Sequence, residues 1–210
     1  MQQGLLPLFP LQVVLFPGAE LPLHIFEERY KEMIGEALKD HSEFGVVLAN
    51  EKGVVNTGCT ATIDRVLKRY DDGRLDIMTL GRRRFEILLL NEERSFLRGA
   101  VEFFDDDAGE PAAEEIQRRA IAGYNQLRAL EQEKPLERGD ALDPQLSFRL
   151  AQTVPDLSFR QVLLNTRTEA ERLKHLADFF PMYLRKQRRV QHVKDVAPRN
   201  GHGRHGESPE

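Results

Sequence analysis

A single cysteine, Cys59, is all the thiol chemistry this sequence holds. One cysteine cannot build an internal disulfide framework, and such a chain suits a reducing compartment, so a cytoplasmic location is expected. Serine is scarce as well. Ser42, Ser95, Ser147, Ser158 and Ser208 are the only five, and none stands in the G-x-S-x-G turn that presents a nucleophile. No apolar run approaches the ~20 residues that cross a bilayer. The apolar start is interrupted by Pro7, Pro10 and Pro17 and has no basic flank, so no secretory signal is expected. An excess of one charge is missing too. Thirty basic and 34 acidic side chains leave a net charge of −4, which points to neither a nucleic-acid nor a membrane partner.

The elements of catalysis are equally thin. Gly53 to Thr60 has the glycine spacing of a phosphate-binding loop, but Cys59 stands where the loop needs lysine. Strand-like residues follow it, whereas a helix N-terminus would be needed to hold the phosphate. Cys59 has alternating apolar neighbours and reads as a buried strand residue. His24, His41, His175, His192, His202 and His205 form no H-x-x-x-H pair, and C-x-x-C is absent. Glu27-Glu28 and Glu114-Glu115 are adjacent on helices and point about 100° apart, so they do not share a proton. The runs Arg82–Arg84 and Arg185–Arg189, opposed by Asp105–Asp107, read as solvated faces. No catalytic residue, metal ligand or cofactor site is expected.

What the chain does have is a change of character near Asp105–Pro111. Before it the signals are mostly β. Short strands are expected at Leu5–Phe9 and Val13–Phe16, with the prolines beside them marking edges or bends. Phe26, Tyr30, Met33, Ile34, Ala37 and Leu38 recur at helical spacing and predict a helix over 26–39. Strands follow at 44–48 and 59–66, then a hairpin turn at Asp71-Asp72-Gly73, and strands at 75–80, 85–90 and 97–104. After the change, helices are expected at 112–131, 144–154 and 169–194, the last kinked by Pro181 inside it. Asp143 and Pro144 look like a helix start. Ser158 with Gln161, and Thr168 with Glu171, have capping-box spacing. The expectation is an α+β fold: a β-rich subdomain over 1–107 with one inserted helix, a helical bundle over 108–195, and a disordered tail over 196–210.

The opening residues carry a resemblance. L-P-L-F-P-L from Leu6, V-V-L-F-P-G from Val13, and L-P-L-H-I-F-E-E-R-Y from Leu21 resemble the start of the Lon protease N-terminal domain family. Phe44–Leu48, Gly58–Ile63, Asp72–Leu75, Gly81–Ile87, Gln161–Asn165 and Glu171–Leu173 resemble later pieces of that family, in order. Arg160 and Asn165 replace its lysine and glutamate beside Gln161. The resemblance covers about residues 5–185 and implies a PUA-like pseudo-barrel followed by a helical subdomain. It also implies selection of protein substrates, since in full-length Lon proteases ATP hydrolysis and cutting belong to downstream modules. The expected function is therefore a non-catalytic, ATP-independent module that binds unfolded or partner polypeptides. Leu21, Leu23, Ile25, Glu27, Glu28 and Arg29 are the candidate contact residues, with a groove between the subdomains as a second location. Phe9, Phe16, Leu23 and Phe26 are expected mostly in the core. The alternative is RNA binding on a PUA-like fold, through Arg82–Arg84 and the basic last helix.

Overall fold

Six strands and five helices form among the described residues of the computed structural model, which are 4–136 and 142–196, with side chains described as far as 189. The expected tail, with His202 and His205, lies outside them. In chain order the elements are β1 (Leu6–Leu11), β2 (Glu20–Ile25), α1 (Glu28–Asp40), β3 (Phe44–Asn50), β4 (Gly53–Arg69), β5 (Leu75–Asn91) and β6 (Arg98–Phe104). Then come α2 (Glu114–Leu130), α3 (Leu146–Ala151), α4 (Leu157–Asn165) and α5 (Glu169–Val196).

The strands run in the order β2-β5-β4-β3-β1-β6, and β6 pairs again with β5, which closes five strands into a barrel. β1 and β3 pair in parallel and every other pair is antiparallel. The long β4 and β5 bend through several bulges, which is how a sheet turns a corner without breaking. Leu8, Val47, Phe85 and Ile87 fill the barrel. Phe85 fits because Gly45 and Gly58 have no side chain: a Cβ on either would lie 2.6 or 2.5 Å from its ring. The opposite face of the sheet joins α1 and the C-terminal helices in one larger core, from Phe9 and Val46 through Phe148 to Phe180 and Leu184. α1 buries Tyr30, Met33, Ile34 and Ala37 of the expected helical stripe; Leu38 is only partly buried, and Phe26 precedes the helix, which starts at Glu28 rather than at 26. Phe9 stacks on Tyr30 with centroids 4.1 Å apart.

Several local expectations change. Val13–Phe16 is not a strand. Val14, Leu15 and Phe16 are buried consecutively rather than alternately. The segment crosses β5 so closely that a Cβ on Gly81 would meet the Phe16 carbonyl oxygen at 2.1 Å. The strand is β2 instead, with Pro22 in it. Among the described residues β2 pairs only with β5, the edge position a proline tolerates. The expected strands at 75–80 and 85–90 are one strand, because Gly81 pairs with Gly18 and Ala19 instead of turning. The Asp143 carboxylate accepts from Gln145 N–H at 2.8 Å, forming a local turn that delays the helix start from Pro144 to Leu146. α4 is capped by Asp156, which accepts from Phe159 N–H at 2.9 Å, so Ser158 lies inside the helix. Gln161, freed from capping, reaches across to donate to the Thr57 carbonyl at 3.0 Å. Thr168 caps α5 as expected, accepting from Glu171 N–H at 3.2 Å.

Candidate functional site

The β2–α1 corner carries most of the residues expected to bind polypeptide. Strand alternation divides them. Leu21 and Leu23 face inward, half-buried against the core, and Ile25 is fully buried. Ile25 is thus unavailable to a partner. Glu20, Pro22 and His24 face out. Glu27 and Arg29 pair with each other at 2.7 Å, and Glu28 pairs with Lys31 at 2.7 Å. Lys31 also donates to the Asp72 carbonyl at 3.0 Å, tying α1 to the β4–β5 hairpin. That hairpin turns at Gly73, whose φ of 82° suits glycine.

Phe26 is the residue the sequence hid. It is 59% exposed, whereas Phe9 and Phe16 are core. Phe26 lies between the end of β2 and the start of α1, so neither period fixes its direction. Its ring stacks on His24 at 5.8 Å, and His24 meets the edge of Tyr70 at 5.9 Å. Register places Asp76 opposite His24. Asp76 accepts from His24 Nδ1 at 2.5 Å and from the Tyr70 hydroxyl at 2.8 Å. Those two hydrogen bonds hold its carboxyl below the ordinary value. Lys68 and Arg74 lie over the Tyr70 ring at 4.4 and 4.7 Å. The result is an exposed phenylalanine backed by a hydrogen-bonded row of polar rings and flanked by cations. Such a corner offers an apolar anchor with polar contacts around it.

The seam between barrel and helices is not the apolar groove anticipated. Arg84 is 4% exposed and donates to the Leu164 and Thr166 carbonyls and to Asp106. Arg172, fully buried, donates to Asp106, Glu169, Ser147 and Thr166. The run Arg82–Arg84 is therefore split: Arg82 and Arg83 are exposed, while Arg84 is structural, held by helix carbonyls and Asp106. Asp106 is likewise engaged, although its carboxylate stays 33% exposed. Ser147 is buried inside this network. A depression of about 360 Å³ remains beside it, lined by Arg82, Asp105 and Phe148 among others. A more apolar depression of about 530 Å³ lies on the barrel between Leu5, Leu6, Leu88, Val101 and Phe103. The exposed run Leu88–Leu90 beside it was not singled out from the sequence either. Cys59 is fully buried, and desolvation pushes its thiol up to about 12. Gly53–Thr60 lies within β4, so no helix follows the glycines. Among the described residues no three His, Cys, Asp or Glu side chains gather as a metal site requires, and no helix is long and apolar enough to cross a membrane.

Residues 5–185 match the family described as the ATP-dependent protease La (LON) substrate-binding domain. The chain belongs to that family. Lon protease 1 of Hydrogenovibrio crunogenus is 28% identical over 186 residues, 78% of this chain and 22% of that protein. Lon protease of Parabacteroides distasonis is 34% identical over 110 residues, 48% of this chain and 13% of that protein. The chain thus spans less than a quarter of the length of these relatives. A solved structure of a Lon N-terminal domain protein from Xanthomonas campestris is similar at a TM-score of 0.67 and 26% identity, covering 84% of this chain and 99% of that one. The N-terminal domain of Mycobacterium avium complex Lon protease shares the fold at a TM-score of 0.59. The α+β architecture expected from the family resemblance is the one found.

Proposed function

We propose that this Lon-type domain binds polypeptides without cleaving them, acting in the cytoplasm as a recognition module of protein quality control. The observation that carries the reading is Phe26, an exposed aromatic on the β2–α1 corner of a substrate-binding fold. Exposed aromatics set in a polar rim are the usual anchors of protein recognition. Leu21 and Leu23 support the strand beneath it, and Glu27, Glu28 and Arg29 supply the charged rim. The two halves, 1–107 and 108–195, work as one body in this reading, because a single cluster of buried side chains runs through both. RNA binding through Arg82–Arg84 is disfavoured, since Arg84 is committed to Asp106 and two helix carbonyls.

Fluorescence anisotropy with labelled casein, a largely unfolded polypeptide, tests this directly. Phe26→Ala is expected to weaken binding about tenfold, with stability unchanged within about 0.5 kcal/mol because the ring is exposed. Casein should stay intact with or without ATP. Unchanged affinity in Phe26→Ala, or cleavage that survives contaminant controls, would overturn the proposal.

A further inference from the structure

A second surface, on the helical half, has different chemistry. α5 buries Leu173, Leu176, Ala177, Phe180 and Leu184. Its outward stripe carries His175, Phe179, Met182, Lys186 and Arg189, spaced three or four residues apart. Phe159 of α4 stacks on Phe179 at 4.5 Å and 12°, and Tyr183 stacks on Phe179 at 5.5 Å and 13°. Met182 beside them is 61% exposed. An aromatic ladder therefore runs into a thioether and then into cations.

The charge there is one-sided. Between Asp178 and Asp195 the sequence has no acidic residue but holds Arg185, Lys186, Arg188, Arg189 and Lys194. Arg185, Lys186, Arg188 and Arg189 form no ion pair among the described residues. Asp178, the carboxylate that precedes these cations on the helix, is taken by Arg119 of α2 at 3.0 Å. On a chain with net charge −4, this is a concentrated cationic patch without ion pairs among the described residues.

We propose that this face of α4 and α5 docks an acidic polypeptide segment carrying aliphatic or aromatic anchors. Phe159, Phe179, Met182 and Tyr183 take the anchors, and Arg185, Lys186 and Arg189 take the carboxylates. Methionine adapts to irregular apolar side chains, and carboxylates answer the unpaired cations. A nucleic acid fits less well. Nucleobases need free ring faces, whereas Phe179 is already stacked on two neighbours and offers an edge. The surface is separate from the Phe26 corner and goes beyond the general polypeptide binding proposed there.

The full chain is titrated against three labelled probes of equal length: a peptide alternating Glu with Leu and Phe, the same peptide with Lys for Glu, and oligouridine. Preference for the acidic peptide is expected. The triple variant Arg185→Glu, Lys186→Glu, Arg189→Glu, all at exposed positions, should weaken it about tenfold to hundredfold and shift preference to the lysine peptide. Met182→Asp should weaken the acidic peptide as well. Equal binding of both peptides by the unmodified protein, tighter binding of oligouridine, or insensitivity to the triple variant or to Met182→Asp would each overturn the proposal.

Discussion

Arg172→Met should unfold this protein far more easily than its single-residue scale suggests. The guanidinium is fully buried, bonds Asp106 Oδ1 at 2.6 Å and Oδ2 at 2.5 Å, and reaches Ser147 Oγ at 2.7 Å and Glu169 Oε2 at 2.8 Å. It also caps the Thr166 carbonyl at 2.8 Å and lies 4.1 Å over the Phe148 ring. Methionine keeps most of the volume but leaves Asp106 with Arg84 alone and Glu169 with only the Ser147 N–H and hydroxyl. Breaking a buried pair by removing one partner costs about 3–5 kcal/mol. Asp106 keeps Arg84, so the lower end, about 3 kcal/mol, is expected, or roughly 6–12 °C in Tm for a domain this size. Urea unfolding followed by circular dichroism measures it. A loss below about 1 kcal/mol would refute the claim that this network joins barrel to helices.

The same network sets an acid dependence. Burial works against the Asp106 charge, but the hydrogen bonds and charges of Arg172 and Arg84 outweigh it, so its carboxyl lies below the ordinary value. A depressed folded value means the stabilisation is fully present above the unfolded value near ~3.9 and is lost as pH falls through the lower folded value. Arg172→Met removes part of that stabilisation, so its stability should fall less steeply than the unmodified protein's as pH drops below about 4.

Other changes test the packing. Gly123→Ala gains helix propensity of up to about 1 kcal/mol, yet its Cβ would lie 2.5 Å from the Cβ of Phe180. That atom is fixed to the α5 backbone, so α2 and α5 must separate, and a net loss of about 1–2 kcal/mol in urea is expected. Iodoacetamide should label Cys59 only on unfolding, because the buried thiol titrates at about 12; rapid labelling of native protein at neutral pH would contradict its placement. Between about pH 8.5 and the folded value the unfolded chain releases this proton while the folded chain keeps it. Stability should therefore decline with rising pH there, by less in Cys59→Val.

Legibility in the sequence followed the range of the interaction. The α1 stripe, the Asp71–Gly73 turn, β3 and the Thr168 cap are decided within a few residues, and local spacing reveals them. Val13–Phe16 reads as a strand because its residues are β-formers, yet its carbonyls are met by other means: Arg160, far along the chain, donates to the Val14 carbonyl at 2.8 Å. Arg84 shows the limit most clearly. Three consecutive arginines look like a solvated run, and alternation alone would set Arg83 apart, yet Arg82 and Arg83 are both exposed and Arg84 is buried. Only the arrival of the Leu164 and Thr166 carbonyls, some eighty residues later, decides which arginine is buried.

That asymmetry bears on where function can lie. The residues that make the family recognisable are spent on packing: Gly58 admits Phe85, Gly81 admits the crossing segment, and Gln161 ties α4 to β4. They identify the scaffold because packing leaves few substitutes. The features that distinguish the surface depend on positions that packing leaves open. Phe26 sits past the end of β2 and before α1, Met182 sits opposite the buried stripe of α5, and Leu88–Leu90 begins in the bulge between Ile87 and Leu89. Polypeptide preference should therefore shift under substitution at Phe26 or along Met182–Arg189 while the fold persists. Substitution of Gly58 or Gly81 should remove the fold first, so any loss of binding in those variants would follow unfolding and say nothing about recognition.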